Sequence, residues 1–262
     1  MIPSFIYHSQ SMSRVPDLQI YQWQYLRLDE WHVDFPIRPF WRLYWNETPG
    51  ARIVCGEHEV ELAPDRVVLI PPFTSYQAVL ERPLNHFYVH FRPAANFPRL
   101  APRIAIQPPP PLLRHIIEGE HSPEHLELCM FALLFGILAN MPEATDGEPA
   151  GAIDFRIQKT LEMIDTLPRN SCDNGSLARA VNMATSSFQH LFQKQIGVPP
   201  QQYVMRILME RAGLLLSSTD LPIPEIAERL GFANRYHFTV VFTRWHEMTA
   251  PAAYRRKSRT PK

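Results

Sequence analysis

Residues 186–206, SSFQHLFQKQIGVPPQQYVMR, are written a second time at 236–256, as YHFTVVFTRWHEMTAPAAYRR. Phe188, Leu191 and Phe192 align with Phe238, Val241 and Phe242 at an offset of 50. Tyr203 and Tyr254 align at 51, so the second copy carries one extra residue near Ala250. Upstream, LARAVNM (177–183) matches IAERLGF (226–232) at an offset of 49. Each copy reads as a helix, a turn at Asn182 or Gly231, and a second helix. Asn and Gly tolerate the left-handed backbone that a tight turn between helices requires. The repeat therefore predicts a duplicated helix-turn-helix.

The second helix of each copy has an unusual outer face. In copy two, Tyr236, Thr239, Val240 and Thr243 share one side at helical spacing, opposite a core stripe of Phe238, Val241, Phe242 and Trp245. The equivalent positions in copy one are Ser186, Gln189, His190 and Gln193. Neither set carries a formal charge, which is poor design for an ordinary wet surface and good design for reading base edges. Gln and His offer hydrogen-bonding groups to purine edges, and the methyls of Thr and Val pack on the thymine methyl. Cations for phosphate belong at the rim, where Lys194, Arg206, Arg235, Arg244 and Arg255 are the candidates.

Charge supports this division. The formal net charge is zero, but residues 1–152 hold 11 Lys+Arg against 17 Asp+Glu, whereas residues 153–262 hold 15 against 9. An acidic half joined to a basic half predicts that only the second meets a polyanion. The three cysteines (Cys55, Cys129, Cys172) are scattered, with no CxxC pair, which argues against a disulfide scaffold or a zinc ribbon. Met1 is not followed by a charged and then an apolar segment, and LELCMFALLFGILANM is too short to span a bilayer. A cytoplasmic protein with no membrane contact is expected.

Residues 1–107 read as short strands punctuated by Gly56, Pro64-Asp65 and Pro71-Pro72, in the manner of a β-sandwich or small barrel. The PPPP tract at 108–111 is a stiff spacer, and 112–140 reads as helix, with Leu126, Met130, Leu133 and Ile137 forming an apolar stripe that serves either as a dimer interface or as a face packed onto the barrel. MPEATDGEPAG marks a linker, and the patterns after it are helical.

The C-terminal half resembles the AraC family of bacterial transcription regulators. The residues that carry the likeness are FQKQIGVPPQQYVMRILMERA, STDLPIPEIAERLGFANRYHF and the closing PAAYRR, from Leu177 to Arg256. The resemblance implies two helix-turn-helix subdomains joined by a long helix, here about 201–216, that enter successive major grooves of duplex DNA one helical turn (~34 Å) apart. The family's usual Gly after the second reading helix is Glu247 here, and several members carry Arg at the position of Val240. Base discrimination is therefore expected to rest on Gln189, His190 and Gln193. Less specifically, VVLIPPF followed by NHFYVHFRP resembles the family's cupin-like arm, although its usual Gly-Asp turn appears as Asp65-Arg66. Such an arm often holds a small effector, frequently a sugar, and mediates dimerisation.

The expected fold is thus α+β: a cupin-like β-barrel (1–107), a helical dimerisation segment (108–140), a flexible linker (141–152) and an all-α double helix-turn-helix domain (153–262). The aromatic segment EWHVDFPIRPFWRLYW suggests an effector pocket, with Trp31, Arg38, Trp41 and Tyr44 as candidate lining, since aromatic faces stack on sugar rings and guanidinium groups bind hydroxyls or carboxylates. Expected partners are double-stranded DNA, a small effector, a second copy of the chain, and RNA polymerase as a further candidate. No cofactor, metal or catalytic residue is expected. Eight of the 11 histidines lie in residues 1–152, so a metal-dependent cupin enzyme is a rival reading. No His-x-His occurs, however, and His86 and His90 stand about 13 Å apart on a regular strand. A regulator driven by a protein partner, with a filled barrel, is the other alternative.

Overall fold

The computed structural model describes residues 17–31, 37–93, 100–101, 103–142, 153–246 and 250–254. The chain divides into two compact units, Met1–Gly151 and Ala152–Lys262. Most of the expected linker, residues 143–152, lies outside the described residues, as does Arg255.

The first unit contains strands β1 (Leu18–Leu28), β2 (Trp41–Asn46), β3 (Ala51–Cys55), β4 (His58–Leu62), β5 (Val67–Ile70), β6 (Gln77–Leu80), β7 (Leu84–Pro93) and β8 (Ala105–Gln107), then helices α1 (Pro111–Glu118) and α2 (Pro123–Ala139). The strands form two antiparallel sheets, ordered β1-β7-β2-β5-β8 and β4-β3-β6. This corrects the expected closed barrel. β3 pairs with β4 and β6 alone, so the described strands make two open sheets packed face to face.

Strand alternation gives the large sheet two different faces. On one, Trp41, Leu43, Trp45, Leu69, Phe87, Val89 and Phe91 pack against Leu113 and Ile116 of α1 and Met130, Leu133, Leu134 and Ile137 of α2. Each such side chain contributes roughly 1.5–3 kcal/mol on burial. Of the two readings of the α2 stripe, the packed one holds, because Met130, Leu133 and Ile137 are buried against the sheet of their own chain and Leu126 packs beside them. What α2 leaves outside is a different row, in which Leu128 is 66% exposed and Ala132, Gly136 and Ala139 are also exposed. On the other face of the sheet, Tyr44, Val68 and Ile70 meet Ile53 and Leu62 of the small sheet.

The second unit is helical: α3 (Phe155–Thr166), α4 (Asn174–Ala180), α5 (Thr185–Ile196), α6 (Pro200–Ser218), α7 (Ile223–Arg229) and α8 (Arg235–Trp245). Asp154, Asp173 and Asn234 cap α3, α4 and α8 by accepting backbone N–H groups with their side chains. Pro200 occupies the first turn of α6, where its missing N–H costs nothing. That helix, 19 residues and about 28 Å long, is the spine between the two copies. No helix among the described residues is long and apolar enough to cross a membrane.

Candidate nucleic-acid interface

The two copies agree down to individual hydrogen bonds. After α4, Asn182 N–H donates to the Arg179 carbonyl (3.1 Å) and Met183 N–H to Ala178 (2.9 Å). After α7, Gly231 N–H donates to Glu228 (2.9 Å) and Phe232 N–H to Ala227 (2.9 Å). Both pairs form the Schellman closure of a helix end, which needs one left-handed residue. That residue is Asn182 (φ 55°) in one copy and Gly231 (φ 76°) in the other. Glycine has a second reason to stand at 231, since a Cβ there would lie 2.7 Å from the Arg169 backbone nitrogen.

Behind each second helix sits the same aromatic wedge. Phe188 packs on Phe192 (ring centroids 5.8 Å), and Phe192 packs edge-on against Tyr203 (5.7 Å). Phe238, Phe242 and Tyr254 repeat the arrangement at 5.6 and 5.3 Å. All four phenylalanines are fully buried, so the faces opposite them are fixed outward. Tyr254 also closes over Gly213 of α6, where a Cβ would lie 3.1 Å from its hydroxyl.

Ser186, Gln189, His190 and Gln193 are all exposed on α5, with exposed Lys194 beside them. On α8, Tyr236 and Val240 are 68% and 59% exposed, while Thr239 and Thr243 are half-buried between them. Arg235 and Arg244 are exposed at the two ends of α8. Arg235 lies over the Tyr236 ring (4.7 Å) and donates to its hydroxyl (3.0 Å), and this hydrogen bond holds the phenol below its ordinary pKa. Two expectations need correction. Trp245 does not complete the core stripe, because it is 37% exposed at the end of α8. Arg206 is half-buried on α6, 6.0 Å over the Trp245 ring and 3.5 Å from the Glu210 carboxylate, so it braces α8 against α6 instead of standing at the rim. Glu247 lies outside the described residues.

The effector candidates separate. Trp41 and Tyr44 are three apart on one strand, so alternation sends them to opposite faces. Trp41 is buried in the cluster under the helices, while Tyr44 is buried between the sheets. Trp31 and Arg38 stay on the Tyr44 side. Trp31 packs on Tyr44 (5.6 Å) and His86 (5.0 Å), and Arg38 lies over Phe40 (5.0 Å). Polar residues beyond these four candidates share this face, Arg42 of the same aromatic segment and the His86/His90 pair among them. Three cross-strand rows hold Gln22, His90 and Arg42, then Gln24, Tyr88 and Tyr44, then His86 and Asn46. Arg42 is 2% exposed and stacks over Phe40 and Tyr76, both at 5.2 Å. Desolvation pushes the His86 pKa down to about 3 and that of His90 well below the usual imidazole range, the latter with help from Arg42 and Arg38. His86 Nδ1 pairs with Asn46 Oδ1 at 2.7 Å, and the Asn46 Nδ2 donor is buried with no hydrogen-bond partner among the described residues.

Comparison with known proteins bears on this geometry. The family described as "Helix-turn-helix domain" matches residues 177–257, the stretch that holds both hairpins and the spine between them. Residues 177–257 form an AraC-type helix-turn-helix domain. The arabinose operon regulatory protein of Escherichia coli (strain K12) is 30% identical over 173 residues, 60% of this chain and 59% of that protein. The lactose operon transcription activator of Staphylococcus xylosus is 30% identical over 139 residues, 53% of this chain and 50% of that one. The chain thus spans between half and three fifths of the length of these curated relatives. ToxT from Vibrio cholerae, in a structure described as bound to an unsaturated fatty acid, superimposes with a TM-score of 0.50 at 13% identity, covering 93% of this chain and 97% of that one. That likeness concerns fold alone, an N-terminal β unit followed by a helical one.

Proposed function

We propose that the protein is a sequence-specific DNA-binding transcription regulator whose AraC-type domain reads bases through α5 and α8. The observation that supports this best is the duplication of a whole device: two left-handed turns, two buried aromatic wedges, and two outward faces that are polar or methyl-bearing and uncharged. A single such helix is an ordinary feature of a helical domain, but two on one spine fit two major grooves on one side of a duplex. Arg235, Lys194 and Arg244 supply the phosphate contacts around them. The experiment is selection of bound duplexes from a random pool by the full chain. Enrichment of one motif with two half-sites about a helical turn apart is expected, and binding at moderate salt that discriminates no sequence from random competitor refutes the reading.

The first unit is proposed as the effector domain. Rows of Gln, His, Tyr, Arg and Asn are a poor way to cover one face of a sheet and a good way to hold a hydroxylated molecule, to which Asn46 Nδ2, Arg42 and the Gln22–Tyr88–Gln24 group present hydrogen-bonding atoms. This composition favours a sugar-like ligand over an acyl chain, in keeping with relatives named for arabinose and lactose operons. A thermal-stability panel of sugars should show a stabilising hit, weakened by Tyr88→Phe, which removes one hydroxyl at nearly constant volume. A homodimer is proposed as well, since pairing raises the effective concentration of a second reading domain. The exposed Leu128 row of α2 is its contact surface in this proposal, and a strict monomer in sedimentation with and without DNA would remove it.

A further inference from the structure

Three histidines converge where α1 hands over to α2. His115 lies in the last turn of α1, His121 in the connection, and His125 in the first turn of α2. Each offers a ring nitrogen, and the three nitrogens all lie within 4.8 Å of one another. The ring centroids are 4.6, 5.4 and 6.2 Å apart. We propose that His115, His121 and His125 form a binding site for one divalent transition-metal ion of the class that imidazole suits, such as zinc, nickel or cobalt.

Geometry supports the proposal first. A tetrahedral ion at about 2.0–2.1 Å from each nitrogen holds its ligands about 3.4 Å apart. The rings need to close by little more than an ångström. His115 and His125 are exposed and His121 is half-buried, so rotation of the side chains provides that movement without repacking a core. An exposed cluster also leaves the fourth position to water.

The hydrogen bonding of His121 supports it independently. Its Nε2 lies 2.8 Å from the His115 carbonyl oxygen. A carbonyl only accepts, so Nε2 carries the proton and Nδ1 keeps the lone pair. Metal-binding imidazoles ordinarily show this arrangement, donating the remaining N–H to a carbonyl or carboxylate that fixes tautomer and ring orientation. The local chain is shaped around the same ring. Gly119 has an unstrained backbone (φ −88°), so it is not there for a left-handed turn. A Cβ at that position would sit 2.6 Å from His121 Cε1 and 2.7 Å from the His115 carbonyl oxygen. Glycine is what lets the His121 ring fold back over the end of α1. Ser122 then caps α2 by accepting the His125 N–H (3.3 Å), and Pro123 starts the helix, which sets His125 one turn beyond His121. Glu118, Glu120 and Glu124 surround the cluster in sequence and make its neighbourhood favourable to a cation.

The three histidines belong to the first unit and to neither helix proposed to read bases, so the test does not depend on DNA recognition. Tag-free full-length protein, stripped with chelator, is titrated with Zn2+ alone by calorimetry and with Co2+ by visible absorption. One ion per chain with Kd of about 1 μM or tighter is expected, with cobalt bands that report nitrogen ligation in a low-coordinate site. His121→Ala should weaken binding at least about 10-fold. Gly119→Ala keeps all three imidazoles but displaces one, and it too should weaken binding. Both variants are checked by circular dichroism, and His125→Gln replaces either one that fails to fold. Weaker binding by the wild-type chain, or binding that survives these substitutions unchanged, overturns the site.

Discussion

At the residue scale, the neutral face of α5 makes the sharpest claim. Gln189→Ala or His190→Ala should cost about 1–3 kcal/mol at particular base pairs and little at others, measured as binding across single-base variants of the selected site. An equal loss on every variant would mean that the side chains touch only phosphate. His86 makes a claim about pH. Its folded pKa of about 3 is depressed from 6.5, so the unfolded chain binds the proton more readily. Stability is fully present above the unfolded value and is lost as pH falls from about 6.5 toward 3. By pH 5 this one residue should remove about 2 kcal/mol from the first unit. His86→Gln should flatten that slope in melts recorded between pH 7 and pH 5. The candidates on α5 and α8 were legible in the sequence because helical spacing alone decides which side chains oppose a phenylalanine stripe. The inter-sheet residues were not. His86, Tyr88 and His90 become neighbours of Arg42 and Tyr44 only through the pairing of β2 with β7, some 45 residues apart, and periodicity within one strand says nothing about its partner.

At the scale of elements, the two turns are the most constrained points of the second unit. Gly231→Ala must place a side chain at φ 76° and against the Arg169 backbone, and it should cost about 1–3 kcal/mol in chemical denaturation. Asn182→Gly, at the equivalent turn with a residue that already tolerates φ 55°, should change stability by less than about 1 kcal/mol. If the two substitutions cost the same, the close approach at Gly231 is not what selects glycine. Both hairpins could be placed from sequence because the repeat supplied its own alignment. The first unit resisted, since strand runs broken by proline do not reveal whether β3 joins the large sheet or leaves it. The histidine cluster resisted for a related reason. Its spacing, His-x5-His-x3-His, crosses a helix end, and only the turn at Gly119 brings the first ring to the other two.

At the scale of the whole molecule, charge is divided between the two halves of the chain, and this should govern how the protein meets DNA. The logarithm of the binding constant should fall linearly with the logarithm of salt concentration, with a slope of about −0.9 for each phosphate neutralised. Arg244→Ala should reduce that slope by about 1 and weaken all sequences alike, in contrast to Gln189→Ala. An unchanged slope would move the phosphate contact elsewhere. The position of Trp245 has a practical corollary. The other four tryptophans (Trp23, Trp31, Trp41, Trp45) all belong to the first unit, and Trp245 is the single indole of the second. It stands half out at the end of α8 with a guanidinium over its ring. A variant that keeps only this fluorophore turns α8 into its own optical probe, whose emission would report the proposed duplex contact directly and the proposed ligand of the first unit only through whatever coupling the two halves possess.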